Sequence, residues 1–417
     1  KKKKTMHLTS QQQHKLQDAN ECASNSCLVM IGCQLLACVI IRHRQTLEDF
    51  AQQYYVIAAE IACQRSVQGK RKILRCCGPM VGASELAFRL TVRAFGIDLT
   101  WTPMIDADGF TKSYLYRKEM IQFHDNDPTV AQLGGRDRTN IIHAAKLLAQ
   151  VDQVKAVELN CGCPMRCARK GRYGAFLLNE PDLLCSIVQG MRSALHGKAL
   201  CAVKIRIYKN DPLRTLNLCR RLTSPQECGA QILTVHGRSV CKEHDADWNI
   251  IRQIKTVIPK HVLLIANGDV RSLRQLRLCA AFTACDGVMA ARALLKDPES
   301  FSVPSDRSLP DSSIRGCALP PFRAALLYLK WVEIVGAPWQ CIQRHLTEIL
   351  ERPLRQAPHL RKQFTTLRSN SSSANELESL YKALNALSLT IDSHQQDTTI
   401  SRTQPPSSSS PVVVSVR

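Results

Sequence analysis

A chain of 417 residues, 45% of them hydrophobic, has room for one large domain and a smaller one. Its formal net charge of +21 favours a polyanionic partner, most commonly nucleic acid, over a merely basic solvated surface. The nineteen cysteines are scattered through strand-like and helix-like segments, which excludes a disulfide scaffold and reads as free thiols in a reducing compartment.

Residues 1–70 form an N-terminal extension of unassigned role that opens on Lys1 rather than methionine. Its apolar stretch Cys27–Ile41 has fifteen residues, short of the roughly 20 that span a bilayer, and no small-residue cleavage site follows. No other segment could cross a membrane, so no membrane association is expected, and the stretch stays unexplained.

From about residue 72 short apolar runs alternate with helix-length amphipathic stretches. The predicted strands are Ile73–Cys77, Leu99–Met104, Val130–Leu133, Ala156–Asn160, Leu200–Ile207, Ile232–His236, Val262–Ala266 and Gly287–Ala290. The predicted helices between them are Glu85–Phe95, Asn140–Gln150, Pro181–Leu195, Pro212–Thr223, Trp248–Val257 and Ser272–Ala281. Eight strands alternating with helices predict an α/β fold, a (β/α)8 TIM barrel over residues 71–300. A doubly wound sheet is the rival, but no Gly-x-Gly-x-x-Gly follows the first strand.

The fourth strand runs into Asn160-Cys161-Gly162-Cys163-Pro164, where Gly162 and Pro164 force a turn that displays Cys163 at a strand end. A thiol there can be a nucleophile, a metal ligand or a proton donor; the bland reading is a small buried apolar residue. Cys161, Cys163 and Cys167 lack a second Cys/His pair at zinc-like spacing, so no metal is expected. Chemistry in such barrels sits at the carboxyl ends of the strands, and Gln132, Asn160, Cys163, Lys204, Arg206, His236, Arg238, Asn267, Asp269 and Arg292 all fall there. Each alone has a structural explanation; six strand ends together predict one shared cavity.

After Pro298, prolines punctuate a linker. Helical periodicity follows through Phe322–Val335, Cys341–Glu351, Leu360–Leu367 and Glu376–Leu387, a basic helical domain over residues 301–390. Ser371–Ser373 reads as a flexible loop, and residues 391–417, with Pro405–Pro411, read as a disordered tail.

The ordered set of motifs resembles the tRNA-dihydrouridine synthases. It consists of Gly78-Pro79-Met80-Val81 with Ser84 and Arg89; Thr102-Pro103-Met104-Ile105; Gln132-Leu133-Gly134; Glu158 through Pro164 with Arg166 and Tyr173-Gly174-Ala175; Val203-Lys204-Ile205-Arg206; Thr234 through Arg238; Asn267-Gly268-Asp269; and Asp286 through Arg292. Within that family the stretches around Cys163, Tyr173 and Pro103 are most similar to the eukaryotic branch acting on uridines 20a and 20b. Departures from the family pattern are Gly78 for Ala, Cys167 for Trp, Arg172 for Gly and Ala293 for Gly.

The resemblance implies flavin-dependent reduction of the uracil C5=C6 bond in the tRNA D-loop, with FMN as hydride carrier and NADPH or NADH as reductant. Side chains cannot store a hydride, so a cofactor is required. Cys163 is the implied general acid toward C5, since an ordinary thiol is mostly protonated at neutral pH. Lys204 is implied beside the flavin N1–C2=O edge, with Pro79, Met80, Val81 and Gln132 also on the cofactor. His236, Asn267, Gly268, Asp269, Ala291 and Arg292 are implied at its phosphate side. Asn160, Arg166 and Arg206 are assigned to the substrate, which must be extruded from the folded tRNA. The expected partner is tRNA, with no protein partner; the expected compartment is the cytoplasm, with the nucleus as alternative. The rival functions are a small-molecule FMN-dependent barrel reductase and a tRNA-binding protein of this fold without turnover.

Overall fold

The computed structural model describes residues 66–67, 70–71, 73–125, 127–195, 197–240, 245–303, 319–365 and 374–403. The Cys27–Ile41 stretch, the Ser371–Ser373 loop and the Pro405–Pro411 segment lie outside these residues. The chain divides into two units near residue 311.

The first unit is built on eight parallel strands: β1 (Leu74–Cys77), β2 (Leu99–Trp101), β3 (Thr129–Gly134), β4 (Val154–Cys161), β5 (Leu200–Arg206), β6 (Ile232–His236), β7 (Leu263–Asn267) and β8 (Gly287–Ala290). Each pairs with the next, and β8 pairs with β1 through Gly287 opposite Leu74, which closes the ring. This is the TIM barrel that the alternation predicted. The second strand stops at Trp101, short of the expected Met104, because Pro103 has no N–H for the ladder. A two-residue strand, Ile105–Asp106, then resumes pairing with β3.

Long helices α1 (Leu86–Ala94), α2 (Arg138–Leu148), α3 (Pro181–Leu195), α4 (Pro212–Thr223), α5 (Trp248–Val257) and α6 (Leu273–Thr283) connect the strands. Asp137, Asp211, Asp247 and Ser272 cap four of them by accepting backbone N–H bonds. Two short helices after β2, Ala107–Lys112 and Tyr114–Met120, had no counterpart in the predicted elements.

One apolar cluster inside the barrel takes a residue from every strand: Cys76, Trp101, Val130, Ala156, Ala202, Ile232, Ile265 and Met289. Successive strand residues alternate faces, so residues two positions on point inward one layer higher. That layer includes Gln132, Glu158, Lys204, Thr234 and Asn267, so the barrel is greasy at its amino-terminal end and polar at its carboxyl end.

The second unit contains α7 (Pro320–Val335), α8 (Trp339–Ile349) and α9 (Ala374–Thr403), with short helices Glu351–Gln356 and Arg361–Thr365 between. Phe322, Leu329, Ile342, Leu346, Phe364, Leu380 and Leu384 are buried in it, and the Tyr328 ring packs on His345 at 4.7 Å. The last helix corrects the expected tail: it runs past residue 391 to Thr403, because nothing between Leu387 and Thr403 is a Gly or Pro that would break it. No helix among the described residues is long and apolar enough to cross a membrane.

Candidate active site

Asn160 organises the turn beyond β4. Its side-chain oxygen accepts the backbone N–H groups of Gly162 and Cys163, each at 3.0 Å, and its Nδ2 donates to Gln132 Oε1 at 2.8 Å. The chain is thereby bent so that half-buried Cys163 is presented at the barrel mouth. Behind it, Ala175 N donates to the Cys163 carbonyl at 3.1 Å. Gly174 has φ +62°, and a Cβ there would stand 2.7 Å from that carbonyl, so both conformation and space demand glycine.

The three neighbouring cysteines occupy different surroundings. Cys161 is fully buried, and desolvation pushes its thiol well above the usual range. Cys167 is exposed on the short helix Arg166–Gly171, beside the Tyr173 hydroxyl. Among the described residues no group of three or more His, Cys, Asp or Glu is arranged to hold a metal.

The polar layer beneath the turn centres on Glu158, which is completely buried. Gln132 Nε2 donates to its Oε1 at 2.7 Å and Thr234 Oγ1 to its Oε2 at 3.0 Å. The Trp101 indole lies close enough to favour the ionised form without completing a hydrogen bond of good geometry. Burial raises the carboxyl pKa, opposed first by the Lys204 charge. Lys204 stands opposite Asn160 in the β4–β5 register. Desolvation lowers its amine to about 8, while Glu158 pulls the other way.

Arg206, opposite His236 in the β5–β6 register, donates from Nε to the Gly162 carbonyl at 2.7 Å and from a terminal nitrogen to the Ser239 carbonyl at 3.0 Å. The sequence assigned this guanidinium to the substrate; in the structure it braces the turn. His236 Nδ1 accepts from the Arg238 backbone N–H at 3.3 Å, which assigns the ring proton to Nε2. Burial, with Lys204, Arg206 and Arg238 around it, pushes the imidazole down to about 2, so it is neutral at physiological pH.

At the end of β7, Asn267 Nδ2 donates to the Met289 carbonyl at 2.9 Å. Gly268 adopts φ +125°, and a Cβ would meet Ala246 Cβ at 2.6 Å. Asp269 accepts from Arg238 and from Ala246 N, interactions that hold its carboxyl below the ordinary range against the opposing effect of burial. It is therefore occupied in holding Arg238. The Arg238 Nε is buried with no hydrogen-bond partner among the described residues.

Pro79, Met80 and Val81 follow β1 in a turn in which Ser84 Oγ donates to the Met80 carbonyl at 3.0 Å; Val81 is exposed. Gly78, the departure from Ala, lies where a Cβ would touch the flexible Met289 sulfur at 2.9 Å. Ala291 and Arg292 open the short helix Arg292–Lys296, with no side chain capping it. Arg166 is exposed on the helix after the turn. The structure thus brings Gln132, Asn160, Cys163, Lys204, Arg206 and His236 into one connected set. Sequence reasoning missed Glu158 as its hub; two-residue alternation from Ala156 through Glu158 to Asn160 is the signal that places it inside.

A desolvated cation, a neutral imidazole N–H and fixed amides suit a planar polar heterocycle, and the displayed thiol can hand over a proton. The chain is 33% identical over 287 residues to the tRNA-dihydrouridine(20a/20b) synthase-like protein of Mus musculus, covering 67% of this chain and 81% of that protein. The Homo sapiens counterpart is 32% identical over 287 residues, covering 67% and 83%. The tRNA-dihydrouridine(16/17) synthase of Saccharomyces cerevisiae is 35% identical over 237 residues, 55% of this chain and 54% of its own length. The profile of the dihydrouridine synthase (Dus) family matches residues 76–402, and the chain belongs to that family.

Proposed function

We propose that this protein reduces the C5=C6 bond of uridine in the tRNA D-loop, at positions 20a/20b, using FMN held in the barrel mouth and NADPH or NADH as reductant. The positional assignment is supported by the share of each relative's own length that the match covers, 70–83% for the 20a/20b relatives against 53–60% for the 16/17 relatives.

The residues present fit FMN. Lys204 is a cation in a desolvated place beside amide groups, and the buried Arg238 Nε has no hydrogen-bond partner among the described residues. Bound FMN supplies the hydride that reaches C6. Lys204 offsets negative charge on the pyrimidine edge of the cofactor, and Gln132 offers that edge an amide fixed by Glu158 and Asn160. Pro79, Met80 and Val81 close the side beyond β1. His236, Arg238, Gly268 and the Ala291–Arg292 backbone serve the phosphate end, with Asn267 and Asp269 shaping it. Cys163 would donate its proton to C5, and Asn160 and Arg206 hold its turn still.

In this reading residues 71–300 form the catalytic barrel and residues 301–390 a tRNA-binding helical domain, in the cytoplasm or nucleus. The phosphate contacts offset the few kcal/mol needed to extrude the base. The observation that carries the proposal is the β4–β5 register, which sets the cation opposite Asn160 in the strand feeding the thiol's turn. The test is Cys163→Ala in the flavin-loaded enzyme. Flavin reduction by NADPH should persist while dihydrouridine formation on tRNA falls by about 10²–10⁴-fold. A purified protein that takes up no FMN, or one that reduces free uridine as well as tRNA, contradicts it.

A further inference from the structure

A groove of about 450 Å³ lies between the start of α5 and the outer face of α6, lined by Ala246, Asp247, Trp248, Asn249, Leu278 and Phe282. Its floor is unusually apolar for a surface: Leu278 is 54% exposed and Phe282 42%. Residues four apart in a helix lie on one face, so Arg274, Leu278 and Phe282 form one ridge and Trp248 and Arg252 the facing one. The Arg252 guanidinium stands over the Phe282 ring, 5.7 Å from its centroid. Arg252 and Arg274 are exposed, and Arg277 adds a third exposed cation on α6. Asp247 is engaged by capping α5, accepting the N–H groups of Asn249 and Ile250.

The groove adjoins the barrel mouth. The Trp248 indole N–H donates to the Gly268 carbonyl at 3.3 Å, at the carboxyl end of β7. A chain leaving the active site over this rim therefore meets an aromatic surface bordered by arginines. Exposed rings flanked by cations are what unpaired nucleobases stack on while their phosphates are neutralised. We propose that this groove is a second RNA contact, in which an unpaired nucleobase of the bound tRNA stacks on Phe282 while Arg252 and Arg274 engage its phosphates. The inference rests on tRNA being the substrate.

The experiment is tRNA binding by the full chain across a salt series. Charge reversal alone would weaken RNA binding almost anywhere on a protein of this net charge, so Phe282→Ala decides. It should lower tRNA affinity about 5- to 100-fold, the range for loss of one base stack, without changing the salt slope. The double variant R252E/R274E should reduce that slope by nearly two. Melting temperatures within 2–3 °C of wild type, about the shift from 1 kcal/mol in a chain this large, exclude misfolding. Unchanged affinity in Phe282→Ala, with wild type binding normally, overturns the groove while leaving the enzyme reading intact. Failure of wild type to bind tRNA removes both. A wild-type dimer that Phe282→Ala dissociates, with tRNA affinity unchanged, assigns the groove to a second copy instead.

Discussion

Arg206 donates its Nε–H to the Gly162 carbonyl at 2.7 Å, so the strand that carries Lys204 holds the turn that carries Cys163. A charge-assisted bond in this half-buried place restrains the thiol more tightly than the backbone alone would. Arg206→Ala should lower the turnover number for dihydrouridine formation about 10- to 100-fold, with the tRNA dissociation constant changed by less than about threefold. Direct contact with RNA would give the reverse pattern, weaker binding at unchanged turnover, so the two measurements together separate bracing from recognition.

Lys204 predicts an alkaline limb. Its amine loses its proton near pH 8 in the folded protein, and the charge facing the cofactor edge goes with it. Turnover should fall above about pH 8, and Lys204→Arg should move the limb upward by at least one unit. Stability runs the other way. Between about 8 and the unfolded value of 10.5 the unfolded chain binds the extra proton, so this group makes stability rise with pH there. Denaturant titrations of wild type and Lys204→Met at pH 8 and 10 should differ by that slope.

His236 gives the acid counterpart. Its folded value of about 2 lies below the ordinary 6.5, so its contribution is complete above pH 6.5 and declines as pH falls toward 2. His236→Gln should flatten the acid side of the stability profile between pH 6.5 and 4, by up to about 1.4 kcal/mol per pH unit. Urea midpoints of the two proteins across that range provide the comparison.

Arg172 sits at φ 53°, a left-handed conformation that costs a non-glycine residue about 1–2 kcal/mol. Its contact with Glu180, at 3.0 Å, is mostly exposed and returns little. Arg172→Gly should therefore stabilise the protein by about 0.5–1 kcal/mol, less than the full strain because glycine is more flexible when unfolded. Arg172→Val, β-branched, should destabilise it; equilibrium denaturation reads both.

Arg89 and Asp127 are both buried, joined at 2.7 Å, and Asp127 also takes a bond from Arg93 at 2.9 Å. These arginines hold the carboxyl below its ordinary range although burial alone would raise it. Asp127→Ala should cost about 3–5 kcal/mol, since it leaves buried guanidinium charge uncompensated. Expression level and melting temperature should fall together.

Much of the barrel was legible because its signals are local. Three helices, α3, α4 and α5, and the strands Ile232–His236 and Gly287–Ala290 match their predicted bounds, each begun or ended by Pro, Gly, Asp or a polar residue that breaks the pattern. The site was legible as a set of strand ends, but not the division of labour within it. Arg206 and Asp269 look like ligand contacts in sequence and are engaged by Gly162 and Arg238 in space, partners far away along the chain. Arg89 belongs to a family motif yet serves the ion pair under the first helix. Glu158 gives no signal of its role in sequence, because a lone acid in a strand carries no hint that Gln132 and Thr234 will close on it.

The ring seals only when Gly287 meets Leu74. Until the ribosome has delivered the last strand, the first has one unsatisfied edge, and no shorter piece of the polypeptide holds the full constellation from Gln132 to Arg292. Loss of the final strand by a premature stop or a proteolytic cut would not give a weakened enzyme. It would leave an open, apolar-edged sheet, prone to pairing with its own copies, that only a chaperone or a protease could clear.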